Sequence, residues 1–320
     1  MLGGKSMKKS WIILIATSLL LLGGCGGSGL PEEDYNLEVP EGEIKGTLML
    51  PEGEGPFKVA VIHQGSGPTD RNGNSAIAGD NNSLKMVAED LAKAGIASVR
   101  FDKRGIAKSM SLIEKEEDLV FEDYINDMIM WIEKVDQDER FSEIYLIGHS
   151  EGALISAAAA VEKDVAGFIS LAGVGERASD TLRRQLSGQP DEITNMTDQI
   201  ISELEQGRMV ENVPDALQSL FRDSIQPYLV SWFRYDPSEV YGEITSPVLV
   251  VQGDNDVQVT VNDAMILSQA AGTKPVLVPG MNHILKDAPR DREGNLETYS
   301  DPDLELHPDL MPVIIDFINE

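Results

Sequence analysis

Apolar and polar positions along this chain switch repeatedly between a strand period and a helix period. Val59-Ala60-Val61-Ile62 is a short apolar run of the kind that forms a strand buried on both faces. Leu84, Val87, Ala88 and Leu91 then share one helical face, and Gly95 stops that helix. Residues 96–101 predict the next strand, and Ile125, Met128, Ile129 and Ile132 mark the next helix. The run Ile144-Tyr145-Leu146-Ile147 predicts a strand, followed over 153–161 by a helix too apolar to lie exposed. Further strands are expected at 168–171, 248–251 and 276–278, and Leu310, Val313, Ile314 and Phe317 give a closing amphipathic helix. Upstream, residues 35–49 alternate weakly, and the segment from Gly46 predicts an opening pair of antiparallel strands.

Strands alternating with helices imply right-handed crossovers and a mainly parallel sheet. The alternation breaks at residues 176–240, where Ile193, Met196, Ile200 and Leu204 are helical in spacing and no strand candidate occurs. A helical insertion between two strands of such a sheet lies over their carboxyl ends, where ligands bind. Residues 176–240 are therefore expected to form a cap between two core segments, 35–175 and 241–320.

The N-terminus has a different pattern. Lys8 and Lys9 precede an apolar run over residues 11–22, and Leu22-Gly23-Gly24-Cys25 follows. A basic segment, an apolar stretch and small residues before a cut form a secretory leader, and the stretch is too short to span a bilayer comfortably. Cys25 is the only cysteine, which rules out an intramolecular disulfide. Its setting resembles the lipobox of bacterial lipoproteins. That resemblance implies removal of residues 1–24 as a signal peptide, lipidation of Cys25, and residues 25–34 as a flexible linker opening on Gly26-Gly27-Ser28-Gly29. The expected location is extracytoplasmic, lipid-anchored to a bacterial membrane. Mass analysis of the mature N-terminus should find an acylated Cys25; an unmodified one would overturn this expectation.

Charge narrows the partners. Lys and Arg total 26 against 54 Asp and Glu, a formal net of −28. Such a field repels polyanions, so nucleic acid is not an expected partner. An anionic lipid surface offers no attraction either, leaving acyl chains as the only membrane attachment.

The candidate chemistry starts at Gly148-His149-Ser150-Glu151-Gly152, between a predicted buried strand and an apolar helix. A serine at a sharp strand-to-helix turn holds its Oγ clear of the backbone, and glycines on either side remove side chains that would clash. Ser150 is thus the expected nucleophile. Of the four histidines, His149 lies inside the turn, His63 ends a strand upstream, and His307 precedes the last helix at an expected surface position. His283 remains as the base, in a loop after the strand at 276–278. The acid should follow the preceding strand, in Gly253-Asp254-Asn255-Asp256. Asp254 is close enough to the strand end to cap the turn, so Asp256 is the expected partner of the imidazole. The oxyanion donors are expected to be the N–H of Glu151 and one from His63-Gln64-Gly65-Ser66-Gly67-Pro68, either Ser66 or Gln64. Tyr228, Trp232 and Phe233 are expected to wall a substrate pocket in the cap.

Taken together, the Gly-Ser-Gly-Pro-Thr-Asp-Arg-Asn-Gly loop (65–73), Arg100-Phe101-Asp102-Lys103-Arg104-Gly105, the Gly-His-Ser-Glu-Gly turn, Gln252-Gly253-Asp254-Asn255-Asp256 and Met281-Asn282-His283 resemble a bacterial α/β-hydrolase esterase family. The resemblance runs from residue 43 to the end. It implies an α/β-hydrolase fold with a mostly parallel eight-stranded sheet and a helical cap. It also implies no metal or organic cofactor, and a small-molecule carboxylic ester as substrate. Ala107 departs from the pattern, standing where a third glycine is usual. Asp70, Arg71, Asp102 and Arg104 are expected to brace loops through buried ion pairs. Other acyl hydrolases (thioesterase, deacetylase, peptidase) and a non-catalytic binding lipoprotein are the alternative readings.

Overall fold

The computed structural model describes residues 30–320. The expected leader and Cys25 lie outside the described residues. The first strands are Glu32–Asp34 (β1), Leu37–Val39 (β2), Gly42–Ile44 (β3) and Gly46–Met49 (β4). The apolar runs then become Phe57–His63 (β5), Ala97–Phe101 (β6), Phe141–His149 (β7), Gly167–Leu171 (β8), Val248–Gly253 (β9) and Val276–Val278 (β10). Eight of these form one sheet in the order β1-β4-β6-β5-β7-β8-β9-β10, while β2 and β3 pair as a separate hairpin. β4 is antiparallel to both its neighbours, β1 and β6; the remaining pairings of this sheet are parallel. Glu32–Asp34, inside the segment 25–34 expected as a linker, pairs with Thr47–Met49 as the sheet edge.

Parallel strands need crossovers that cover both faces, and the period-2 alternation of side chains feeds each cover. Val59 and Val61 of β5 face one layer; Ala60 and Ile62 face the other. The first layer is built by Phe121–Asp136 (α2) and Glu151–Glu162 (α3), where Met128, Trp131, Ala157 and Ala159 are buried. The second is built by Ser83–Lys93 (α1) and the closing helix α11, Leu310–Asn319, through Leu84, Val87, Leu91 and Ile314. Burial of α3 on nearly all sides explains its lack of a polar face.

Between β8 and β9 the chain forms Ala178–Leu186 (α4), Asp191–Glu205 (α5), Gln218–Phe221 (α6), Gln226–Trp232 (α7) and Pro237–Glu243 (α8). This helical insertion has its own core of Ile200, Ile201, Leu204, Phe221 and Leu229. It rejoins the sheet through α8, whose Tyr241 hydroxyl is 2.8 Å from Ser170 Oγ on β8. Val261–Ala270 (α9) and Arg292–Glu297 (α10) complete the helices before α11. The carboxyl ends of β5, β7, β8, β9 and β10 all open toward one edge of the sheet, and the candidate residues follow those ends.

Candidate active site

β7 passes directly into α3, and Ser150 sits at the junction with φ 54° and ψ −121°. Non-glycine residues rarely hold this conformation, so the surrounding packing must impose it. Space demands the glycines on either side. A Cβ on Gly148 would lie 2.5 Å from Ala153 Cα, and one on Gly152 would lie 2.6 Å from the His63 carbonyl oxygen. The Ser150 N–H donates to the Leu171 carbonyl at 2.9 Å, tying the turn to the end of β8. Ser150 thus stands at the N-terminus of a buried helix, where negative charge is favoured.

His283 and Asp256, 27 residues apart, are brought together by the loops after β10 and β9. The His283 Nδ1–H donates to Asp256 Oδ2 at 2.8 Å. The other Asp256 oxygen accepts the N–H groups of Gln258 and Val259 at 2.8 and 2.9 Å, and Gln252 Nε2 donates to Oδ2 at 3.0 Å. Burial pushes the Asp256 carboxyl up, but His283 and the two backbone donors outweigh it and hold the group below its ordinary value. Asp256 is therefore a carboxylate that orients His283 and fixes its Nδ1–H tautomer. Asp254 does a different job: it caps Gly280 N–H at 2.8 Å and pairs with exposed Arg290.

Ser150 and His283 line one cavity of about 240 Å³, together with Gly65, Ser66 and Tyr299. No hydrogen bond joins Ser150 Oγ to His283 among the described residues; such contacts often tighten only when substrate is bound. Ser66 faces this cavity. Gln64 does not: its side chain is fully buried, with Nε2 donating to the Phe101 carbonyl at 3.0 Å. Glu151 follows Ser150 as the first residue of α3, where an N–H has no partner inside the helix.

Three features escaped sequence reasoning. The His149 Nε2–H donates to the His283 carbonyl at 2.8 Å, so the residue before the serine fastens the His283 backbone. His307, expected at the surface, is buried, and its Nδ1 accepts the Asp309 N–H at the start of α11. Lys103, at the end of β6, is also buried; its ammonium lies 2.7 Å from the Gly65 carbonyl and 3.6 Å from Glu151 Oε2. The expected bracing pairs are Arg71–Asp102 at 2.7 Å and Arg104 with Asp127, whereas Asp70 instead caps the N–H groups of Asn72 and Asn74. Ala107, in the position where glycine is usual, has φ 44°, which costs a side chain about 1 kcal/mol.

A second, larger cavity of about 390 Å³ adjoins the first, sharing Pro68 and Ile77 with it. Its walls include Ile106, Met110, Ile113, Leu119 and Ile225, with Tyr124, Tyr228, Lys103 and Glu151 deeper in. Tyr228 is among the lining residues, with its hydroxyl committed to Glu151 Oε1 at 2.8 Å. Trp232 and Phe233 line neither cavity. Trp232 stacks on Phe121 at 5.7 Å, with its ring 5.9 Å from that of Tyr228 one helical turn earlier, and Phe233 fills the core of the insertion.

Burial sets the charge of two histidines. His63 is pushed down to about 3, chiefly by burial and then by the positive charge of Lys103. His149 is pushed down to about 4 by burial and by its neighbour His283. Both are neutral in the fold, whereas the unfolded chain takes up protons below about 6.5. Their contribution to stability is complete above that value and is lost as pH falls toward the folded values, at up to about 1.4 kcal/mol per pH unit for each. Urea midpoints should therefore drop clearly between pH 7 and pH 5. A level midpoint across that range would show that these histidines are not held neutral.

Comparison with known proteins bears on the fold. Residues 79–218 match a family described as serine aminopeptidase, S33. Esterase EstD from Thermotoga maritima is 26 % identical over 273 residues, which covers 80 % of this chain and 61 % of the esterase. This chain thus spans less than two thirds of that relative's length. Among solved structures, Est1E from Butyrivibrio proteoclasticus superposes with a TM-score of 0.56 at 18 % identity, covering 90 % of this chain and 99 % of that one. Dienelactone hydrolase from Anabaena variabilis gives a TM-score of 0.53 at 15 % identity, covering 91 % and 97 %. The sheet order, the serine at the β7–α3 turn and these superpositions give the chain the α/β-hydrolase fold.

Proposed function

We propose that the protein is a serine carboxylesterase that cleaves small esters through an acyl-enzyme intermediate. The observation that carries this reading is the convergence of Ser150, His283 and Asp256 at the carboxyl ends of three strands, with Ser66 and Glu151 beside the serine. His283 takes the Ser150 proton as Oγ attacks the ester carbonyl, and the N–H groups of Ser66 and Glu151 receive the oxyanion. The proton then passes to the leaving alcohol. Water attacks the acyl-Ser150 ester by the same route and releases the acid.

The matched family's description raises a peptidase reading, which the cavity chemistry disfavours. Binding a free peptide amino group calls for an uncommitted carboxylate. Glu116 and Glu151 are the acids lining the larger cavity, and neither is free. Glu116 is held by Arg222 and Ser224, and Glu151 by Lys103 and Tyr228. The smaller cavity is lined by no acid. A neutral ester with one apolar arm in the larger cavity fits these walls better.

Ile77 and Met110, 84 % and 65 % exposed, place apolar surface at the mouth where that arm would enter. Each methylene moved from water onto such walls contributes about 0.8 kcal/mol. In a nitrophenyl ester series, kcat/KM should accordingly rise about fourfold per added carbon until the cavity is full. Matched thioester and amide substrates should be slower. A faster amide, or a rate indifferent to chain length, would refute this substrate class.

A further inference from the structure

We propose that Lys103 is a positioning residue of this site, using one buried ammonium to hold both backbone segments that receive the oxyanion. The inference rests on the acyl-transfer reading above and assigns a role to a residue which that mechanism does not otherwise use.

Lys103 comes from the turn just after β6, not from the nucleophile turn or the loop after β5, yet it contacts both. Its Nζ donates to the Gly65 carbonyl at 2.7 Å. The C=O of Gly65 and the N–H of Ser66 belong to one planar trans peptide and point in opposite directions. Fixing the carbonyl from the Lys103 side therefore fixes the direction of the Ser66 N–H. Gly65 is itself pressed against the nucleophile, since a Cβ on it would stand 3.1 Å from Ser150 Cβ. The same ammonium lies 3.6 Å from Glu151 Oε2, on the residue that supplies the second donor.

Glu151 extends the brace into the insertion by accepting the Tyr228 hydroxyl at 2.8 Å. The Tyr124 ring packs 5.3 Å beneath the ammonium. Lys103 and Glu151 side chains are 1 % and 4 % exposed, so two charges are kept out of water in a place where an apolar residue and a glutamine would fill similar space. A charge pair of this kind has a poor claim to stabilising the fold, and its reward is the fixed geometry of the two donors.

The test uses steady-state turnover of a nitrophenyl ester, with active sites counted by the burst of nitrophenol. Wild-type protein comes first; no turnover there overturns the acyl-transfer reading and this inference with it. In Lys103→Met, kcat per counted site should fall about tenfold to a hundredfold, the scale of a displaced catalytic group, while KM stays within about threefold. Affinity for a boronic acid that mimics the tetrahedral intermediate should fall by the same factor as kcat. Because Lys103→Met leaves a buried carboxylate unpaired and can unfold the chain, the charge-balanced Lys103→Met/Glu151→Gln variant is measured beside it. That variant should keep the low kcat, since the Gly65 carbonyl is still unheld. Recovery of wild-type kcat in the double variant would show that Lys103 merely neutralises Glu151, and would overturn the proposal. So would a Lys103→Met defect confined to the number of active sites.

Discussion

Ser150→Ala should abolish ester hydrolysis, with a loss of about 10³-fold or more in kcat and an unchanged fold. In the proposed mechanism the hydroxyl is the attacking group, and Ser150 Oγ makes no hydrogen bond among the described residues. What holds the β7–α3 turn is the Ser150 N–H on the Leu171 carbonyl and the close approach of Gly152 to the loop after β5. Both survive the substitution, and alanine has no more difficulty than serine at φ 54°. Stability should therefore stay within about 0.5 kcal/mol of wild type by urea unfolding. A fluorophosphonate should label wild type and leave the variant untouched. Activity within tenfold of wild type would remove Ser150 from the mechanism and the esterase reading with it.

The sequence makes this turn legible because its cause is local. Three steric requirements fall within five residues, and the flanking apolar run and apolar helix each announce themselves by periodicity. The same holds for the core strands. Val59 to Ile62 contribute to both helical layers at once, and only a buried parallel strand needs an unbroken apolar run. The short edge is less legible. Glu32–Asp34 is exposed throughout, so its membership in the sheet depends on backbone pairing with β4 and leaves no apolar pattern.

Polar contacts across long sequence gaps are the least legible of all. Lys103 stands among Arg100, Asp102 and Arg104, where a basic and acidic cluster reads as loop bracing. That reading suits Arg71–Asp102 and misses Lys103, whose partners are 38 and 48 residues away, in the loop after β5 and at the start of α3. The aromatic cluster at 228–233 shows the same limit. Spacing identifies Tyr228, Trp232 and Phe233 as a group but does not say which side each faces, and only Tyr228 turns toward a cavity. The sequence leaves the choice between Ser66 and Gln64 open for a related reason. It depends on the path of β5 past its last paired residue, which puts Gln64 under the sheet end against Phe101 and leaves Ser66 at the cavity.

Asp256→Asn should reduce kcat by about 10⁴-fold, while Asp254→Asn should change it less than about threefold. The contrast follows from how each carboxylate is used. Asp256 accepts four hydrogen bonds, two backbone N–H groups on Oδ1 and the His283 and Gln252 side chains on Oδ2. An asparagine has one accepting oxygen. If that oxygen keeps the two backbone donors, the new NH₂ faces His283 Nδ1 and forces the imidazole into the tautomer with its proton on Nε2, where it cannot accept the Ser150 proton. If the oxygen turns to His283 instead, the NH₂ meets the N–H groups of Gln258 and Val259, and the loop loses its anchor. Either arrangement spoils the base. Asp254 accepts the Gly280 N–H on one oxygen, and an asparagine carbonyl can do the same; its other interaction is with Arg290, which is 61 % exposed, so its loss costs little. Kinetics on both variants, with nitrogen NMR of the His283 tautomer in Asp256→Asn, would decide the assignment. A larger loss in Asp254→Asn, or an unaltered Nδ1–H tautomer in a fully active Asp256→Asn, would take Asp256 out of the proposed mechanism.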